Sequence, residues 1–382
     1  MQKVNKIGAI VLGGHVQGLG IVRILGREKI PVILIDNTLV NLARHSKYCL
    51  KFFKVEDKYL FEFLKNLGIA GHYNKWIIFP TNDLQVKILS QNKSDLESYF
   101  RISTDKWDVV KLFYNKRETY LFAKKINITI PQSYFPSNVD ELESLEIVFP
   151  CIIKPAVMHD FYKKVKKKVF VCKNLKELRM NYIKALHLIS SDEIIVQEIV
   201  SGSSKNQFSA CFLFLNGKIF AHLTACRMRQ HPLDFGNATT YAETVDIPEL
   251  TEKGEKILKS ADYNGICEVE FKLDENDGDY KLLEINPRTW KWHAIANKAG
   301  VSFLKTYYDY LCGLDVKPIM GFNKASFIHR LTDFPVQLEL LLKGYSFWKR
   351  RINPSENAVW ANDDTSPWIF EKIYLIHFMK NR

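Results

Sequence analysis

The stretch EVEFKLDENDGDYKLLEINPR, residues 268–288, constrains the fold more than any other. Two alternating runs flank the polar turn DENDGD, the pattern of an antiparallel hairpin. Side chains two apart share one face of a strand. With the turn centred near Asp277, Glu270 faces Glu284 and Glu268 faces Asn286. Glu268, Glu270, Glu284 and Asn286 then project together, and Val269, Phe271, Leu283 and Ile285 face the core. A slip of one residue would exchange the two faces. Like charges directly opposite each other destabilise a sheet. The cluster therefore needs either open solvent or a cation. Carboxylate and amide oxygens suit Mg²⁺, which completes its octahedron with water and phosphate. Arg288, two residues past Asn286, can reach the same phosphates.

Two more stretches ask for an anion. In VFPCIIKPA, Lys154 ends an apolar strand, where a lysine either snorkels to water or meets a negative group. EIIVQEIVSG is an apolar strand followed by a Ser-Gly turn, and the backbone from Gln197 to Val200 can read an adenine edge.

Three sections follow from the pattern of elements. Residues 1–112 alternate strand and helix: IGAIVLG, a helix from Leu19 to Lys29, PVILID, DKYLFEFLKNLGI and WIIFPTND. Such alternation predicts a parallel sheet covered by helices. Ser103 and Thr104 are expected to cap the mostly helical stretch DKWDVVKLFYNKRETYLFAKKINI. Residues 113–312 read as α+β, with a helix capped by Asn174 and a hairpin turning at Asn216–Gly217. Residues 313–382 form a basic, aromatic extension.

The opening βα turn, GGHVQGLG, carries glycines at 13, 14, 18 and 20, with Asp36 at the end of the next strand. The dinucleotide fingerprint is G-x-G-x-x-G, and this spacing departs from it. The helix N-terminus here is expected to hold an anion belonging to the substrate rather than a nicotinamide cofactor.

Composition excludes some alternatives. The chain has 382 residues, 54 Lys+Arg against 42 Asp+Glu, and a formal charge of +12. That balance suits anionic partners. A nucleic-acid interface would need a concentrated basic stripe with interleaved aromatics, and the one dense run, KKVKKK at 163–168, is short and local. None of the seven cysteines forms a CxxC pair, which predicts a reducing, cytoplasmic setting. No apolar run approaches the length of a membrane span. The first residues have lysines before apolar residues, but the apolar stretch is too short for a signal peptide and runs into the βαβ pattern.

The order NKRETYLFAKKINITIPQSY, FPCIIKP, IIVQEIVSG, GICEVEF, KLLEINPR resembles the ATP-grasp superfamily, and within it the carbamoyl-phosphate-synthase-like and D-aspartate-ligase-like members. The resemblance covers residues 1–312. It implies an α/β and α+β architecture: an ATP-grasp fold of two lobes, hinged near 197–202, behind an N-terminal Rossmann-like domain. It implies ATP and Mg²⁺ as cofactors, with two ions expected and Mn²⁺ as an alternative. Lys116 and Lys154 would contact ATP phosphates, and Gln197, Glu198, Ile199 and Val200 would hold adenine. Glu270, Glu284 and Asn286 would hold the metal, and Arg288 would face the phosphates. The segment 156–168 matches a covering loop but lacks its usual glycines, and no acid follows SGSSKNQ to hold the ribose. The implied reaction phosphorylates a carboxylate to an acyl phosphate and joins it to an amine. A cell-wall or surface-polysaccharide precursor is the expected setting. Arg227 and Arg229, two apart on a strand, are expected to share a face and grip a carboxylate or phosphoryl group beside CRMRQHPLDFGN. His293 is a further substrate-side candidate, weighed against a packed histidine. DDTSPW in the tail partly matches the end of D-aspartate-ligase-like proteins. The expected partners are a small-molecule carboxylate and amine, with no nucleic acid; a homodimer and a peripheral membrane contact through the tail stay open. The alternative to the enzyme is a non-catalytic nucleotide-binding relative.

Overall fold

The computed structural model describes residues 7–157, 169–233, 236, 238–344 and 354–375. The apolar runs of the first hundred residues form five parallel strands: β1 Ala9–Leu12, β2 Val32–Asp36, β3 Cys49–Lys54, β4 Ile77–Phe79 and β5 Arg101–Ile102. Their order is β3-β2-β1-β4-β5. β1 and β4 are buried along their whole length, as a sheet covered on both faces requires. Helices α1 Val16–Arg27, α2 Leu60–Ile69, α3 Asp83–Gln91 and α4 Lys93–Glu97 provide that cover. The strand order reverses between β1 and β4. In an open α/β sheet the crevice at the carboxyl ends of such strands is the natural binding edge.

Helix α1 starts three residues ahead of the expected Leu19. His15 caps it, Nδ1 accepting the Gln17 amide at 3.3 Å. The internal glycines are there for close packing and do not delay the helix. A Cβ on Gly18 would lie 1.9 Å from the Gly13 carbonyl oxygen, and one on Gly20 would lie 2.7 Å from the His293 ring.

Two helices lead out of the first sheet, α5 Trp107–Tyr114 and α6 Lys116–Lys125. They part at Asn115, whose side chain accepts the amides of Arg117 and Glu118. The cap expected from Ser103 and Thr104 is not used. The Ser103 hydroxyl donates to the Ile78 carbonyl at 2.6 Å instead, and Lys106 precedes α5 without a side-chain cap bond.

A four-stranded antiparallel sheet follows, β6 Ser133–Tyr134, β7 Cys151–Pro155, β8 Phe170–Cys172 and β9 Ile194–Glu198, ordered β6-β9-β7-β8. Helix α7 Leu175–Leu186, capped by Asn174 as expected, packs Leu178, Tyr182 and Ala185 into its core. The third sheet has seven strands: β10 Gln207–Leu215, β11 Lys218–His231, β12 Ala238–Thr244, β13 Gly265–Leu273, β14 Tyr280–Asn286, β15 Ser326–Ile328 and β16 Glu356–Asn357. Their order is β14-β13-β10-β11-β12-β15-β16. Asn216 and Gly217, at φ 51° and 74°, make the β10–β11 turn. Both positive angles belong to a type I′ turn. Among the described residues the remaining helices are α8 Pro248–Ser260, α9 Ile295–Lys298, α10 Phe303–Leu311, α11 Arg330–Leu342 and α12 Ser366–Ile373.

The last section is built into the molecule. β15 and β16 extend the third sheet, and residues 354–375 return to α1. Arg23 and Asp364 form a buried ion pair at 2.9 Å, and Asp364 also accepts the Ser46 hydroxyl and the Lys47 amide. Asp363 pairs with Arg27 at 2.8 Å. The acids of DDTSPW therefore anchor the helix that follows the glycine turn. One apolar core joins α1 to the third sheet, with Leu19 and Val22 clustered with Leu213, Leu223 and Trp290. All seven cysteines are unpaired thiols. Among the described residues no helix is long and apolar enough to cross a membrane.

Candidate active site

A cavity of about 710 Å³ opens between the second and third sheets and reaches the first sheet. Its floor is the β13–β14 hairpin, in the register the alternation predicts: Glu268 pairs with Asn286 and Glu270 with Glu284. Beyond Glu270 the register shifts, and Phe271 pairs with Leu282. Leu283 is the extra residue of this β-bulge, which turns a strand locally. Leu282 takes the core position, so Leu283, expected in the core, lines the cavity instead.

Glu268 and Glu270 are buried, Glu284 is partly exposed, and all three are bonded. Glu268 accepts the Ser209 hydroxyl at 2.9 Å and the Asn286 amide at 3.1 Å. Burial, with Glu270 beside it, pushes its pKa up to about 8. Glu270 accepts from Gln207 at 2.7 Å, Arg227 at 2.9 Å and Asn286 at 3.2 Å. Glu284 pairs with Lys116 at 2.6 Å. Burial alone would lower the Lys116 pKa, but Glu284 outweighs it and the net shift is upward.

Tyr120 connects the hairpin to the second sheet. Its hydroxyl donates to the Leu283 carbonyl at 2.7 Å and accepts from Lys154 Nζ at 2.6 Å. Lys154 is buried with Lys116 nearby, and these effects bring its pKa down to about 7. Tyr120 lies one helical turn past Lys116, the i+4 spacing that places both on one face. That spacing was a readable signal for a residue the sequence reading passed over.

Gln197, Glu198, Ile199 and Val200, expected at the hinge, form one wall. Gln197 donates to Ser133 Oγ at 2.7 Å. The Glu198 carboxylate is held by Lys281 at 2.9 Å and by the Gln132 amide at 2.9 Å. Lys281 also holds Asp274 at 2.6 Å, which ties the second sheet to the third. Lys272 donates to the Val200 carbonyl at 2.8 Å. Ser201, Ser203 and Ser204 line the wall where an acid for the ribose was not found in the sequence.

The far end belongs to the first sheet. Gln17, in the first turn of α1, and Asp83, at the start of α3, come from the carboxyl edge where strand order reverses. Gln17 donates to the Thr289 carbonyl at 2.6 Å. Arg288 pairs with Asp83 at 2.6 Å and donates to Asn286 Oδ1 at 2.9 Å. Burial opposes its charge, yet Asp83 outweighs burial and raises its pKa. Trp290, Lys291 and Trp292 complete this end.

Other sequence expectations land elsewhere. Arg229 leaves the site for Asp333 on α11, with both contacts at 2.8 Å, and stacks 4.3 Å over Tyr241. Irregularities on either side of it in the β11–β12 pairing break the alternation that would have placed it beside Arg227. His293 is a packing residue. Its Nδ1 lies 2.8 Å from the Trp290 carbonyl, its ring fills the space above Gly20, and burial lowers its pKa to about 4. The anion at the glycine turn is the chain's own Asp36, which accepts the Gly14 amide at 2.5 Å. Residues 158–168, including KKVKKK and most of the expected covering loop, lie outside the described residues, as do Asp234, Phe235 and Asn237 of CRMRQHPLDFGN.

Among the described residues no three His, Cys, Asp or Glu side chains are grouped as a ready metal site. The expected set is two carboxylates and an amide. The side-chain oxygens of this set, on neighbouring strands, are the donor type a hard divalent cation takes; here Asn286 meets Glu270 through Nδ2 at 3.2 Å and turns Oδ1 to Arg288 at 2.9 Å.

Residues 239–308, which contain the hairpin, match the carbamoyl-phosphate synthase L chain ATP binding domain. A D-aspartate ligase of Enterococcus faecium (strain Aus0004) is 24% identical over 229 residues, 56% of this chain and 53% of that protein. The chain thus spans about half the length of that curated relative. Among solved structures, the biotin carboxylase domain of Hydrogenobacter thermophilus 2-oxoglutarate carboxylase, in complex with MgADP, ADP and bicarbonate, superposes with a TM-score of 0.68 at 16% identity. The match covers 84% of this chain and 74% of that one. N5-carboxyaminoimidazole synthetase from Staphylococcus aureus covers 97% of both chains, with a TM-score of 0.65 and 16% identity.

Proposed function

We propose that this chain, an ATP-grasp protein by its fold and its ATP-binding-domain match, is a carboxylate–amine ligase. In this reading ATP transfers its terminal phosphoryl group to a substrate carboxylate, giving an acyl phosphate and ADP. An amine then attacks the acyl carbon, phosphate leaves with the bonding electron pair, and the amine's proton is released. The acceptor class we propose is a cell-wall or surface-polysaccharide precursor. The D-aspartate ligase among the relatives supports an amino acid as one substrate.

One observation carries the reading. Lys116, Lys154, Arg227 and Arg288 converge with Glu268, Glu270, Glu284 and Asn286 in a single cavity walled by the 197–204 segment. Phosphoryl transfer needs in-line positioning and charge neutralisation more than a protein nucleophile. Lys116 and Lys154 would bind the phosphates, and Arg288 would face the transferred group and stabilise its charge. The hinge and Leu283 would enclose the adenine. Glu270, Glu284 and Asn286 would hold Mg²⁺, which supplies positive charge beside the phosphates when bound.

The test is an ADP-release screen over amino acids and sugar acids paired with amines. A productive pair should release ADP only with Mg²⁺ present, and Glu284→Gln should reduce that release by about 100-fold or more. A variant as active as the parent protein would refute the assignment. The rival, a nucleotide-binding protein without turnover, draws on the ion pairs Lys116–Glu284 and Arg227–Glu270, which neutralise the carboxylates without a metal. ATP binding unaffected by Mg²⁺, with no ADP release from any pair, would favour it.

A further inference from the structure

The face of α11 that points away from the molecule is apolar throughout. Phe334 is 69% exposed, Leu338 48%, Leu341 49% and Leu342 80%. At 100° per residue these four fall within an arc of about 100°, and exposed Pro335 borders it. Thr332, Asp333 and Val336 lie on the opposite side and are buried. That buried side is held firmly: Asp333 takes both guanidinium contacts from Arg229 and the Thr240 hydroxyl at 2.7 Å. The helix is therefore anchored by polar bonds on one face and presents hydrocarbon on the other.

Charge indicates what meets that face. No acid lies within the exposed arc, and exposed Arg330 and Lys343 stand at the two ends of the helix. Glu339, beside the arc, is paired with Lys343 at 2.9 Å. The sequence immediately after, GYSFWKRRI, interleaves Tyr345, Phe347 and Trp348 with Lys349, Arg350 and Arg351. An apolar helical face with cations at both ends is suited to an anionic lipid interface, where hydrocarbon enters the acyl boundary and cations meet headgroups. The whole chain carries +12, which adds attraction at longer range. Lys291, on the cavity wall, donates to Thr332 of α11 at 3.4 Å, so this helix borders the far end of the cavity.

We propose that α11 lays Phe334, Leu338, Leu341 and Leu342 into the surface of an anionic membrane, holding the chain there as a peripheral protein. The inference is independent of the ligase reading, because binding is read without turnover.

The test is cosedimentation of the full chain with phosphatidylcholine vesicles, plain or containing about one third phosphatidylglycerol. The protein should pellet with the anionic vesicles and stay in solution with the neutral ones, and added salt should weaken the binding. Leu338→Glu combined with Leu342→Glu should weaken it by about tenfold or more, at an unchanged melting temperature. Met180→Glu, an equally exposed apolar site on α7, should bind like the parent protein. Failure to pellet with anionic vesicles would overturn the proposal. So would binding that the double variant leaves intact. A dimer in sedimentation equilibrium that the double variant dissolves, without vesicle binding, would assign the face to a second copy of the chain instead.

Discussion

The glycine turn at residues 13–20 and the acidic hairpin at 268–288 both read as anion or nucleotide motifs, yet they are used in opposite ways. The turn is filled by the chain itself. A Cβ on Gly13 would lie 2.2 Å from Thr81 Oγ1, one on Gly14 2.3 Å from Asn41, and Asp36 occupies the Gly14 amide. The hairpin opens onto a cavity, with four cationic side chains around its carboxylates. A motif thus names the residue types a site needs, while function depends on what else occupies the space. Gly18 and Gly20 make room for a neighbouring carbonyl and His293. Glu268 and Glu270 are held apart from apolar packing by Ser209, Gln207 and Arg227.

Substitutions should separate the two regions, one through stability and the other through catalysis. The largest effect is expected at the anchor of the turn's helix. Asp364→Ala leaves Arg23 buried without its partner, and removing one member of a buried pair costs about 3–5 kcal/mol. Urea unfolding should show the loss; a stability equal to the parent's would mean the C-terminal return is dispensable. Next, Lys154→Met should lower ADP release by about 100-fold, near 2.7 kcal/mol, with an unchanged melting temperature. Equal losses of stability and rate would erase the distinction. Gly18→Ala should cost about 1–3 kcal/mol of stability from overpacking against the Gly13 carbonyl, with KM for ATP unaltered. A large KM effect would return the nucleotide to the turn.

The smallest effect is a proton. Lys154 is lowered to about 7, so at pH 8 only about a tenth of it is charged in the empty cavity. A bound phosphate favours the ammonium, so ATP binding should take up nearly one proton at pH 8. At pH 6 the group is already charged, and the uptake contributed by Lys154 should fall to about a tenth of a proton. Calorimetry in two buffers of different ionisation enthalpy measures this. Uptake that grows towards low pH would exclude Lys154 as the phosphate ligand.

Much of this was legible in the sequence for a local reason. Period-two alternation placed Glu268, Glu270, Glu284 and Asn286 together, and the register agrees. Asn174 and Asn216–Gly217 act through bonds or angles within a few residues, so cap and turn could be read directly. The misreadings share a cause. Leu283 and Arg229 sit at bulges or irregular pairings, where one residue's shift reverses a face. Asp83 joined the site only because an edge of the first sheet faces the hairpin, 205 residues away in sequence from Arg288. His293 packs over Gly20, a contact between positions 273 residues apart that no local pattern encodes.

By itself, then, the sequence determined that Glu268, Glu270, Glu284 and Asn286 share a strand face, that Asn174 caps a helix, and that a carboxylate cluster requires positive charge. Those properties follow from backbone geometry repeated every two or 3.6 residues. Only the tertiary structure decided which cation meets which carboxylate, as with Lys116 and Glu284 across 168 positions, and that the glycine turn is closed by the protein's own side chains. Neutralising a buried charge requires a partner within a few ångströms in space, and separation along the chain carries no information about that distance.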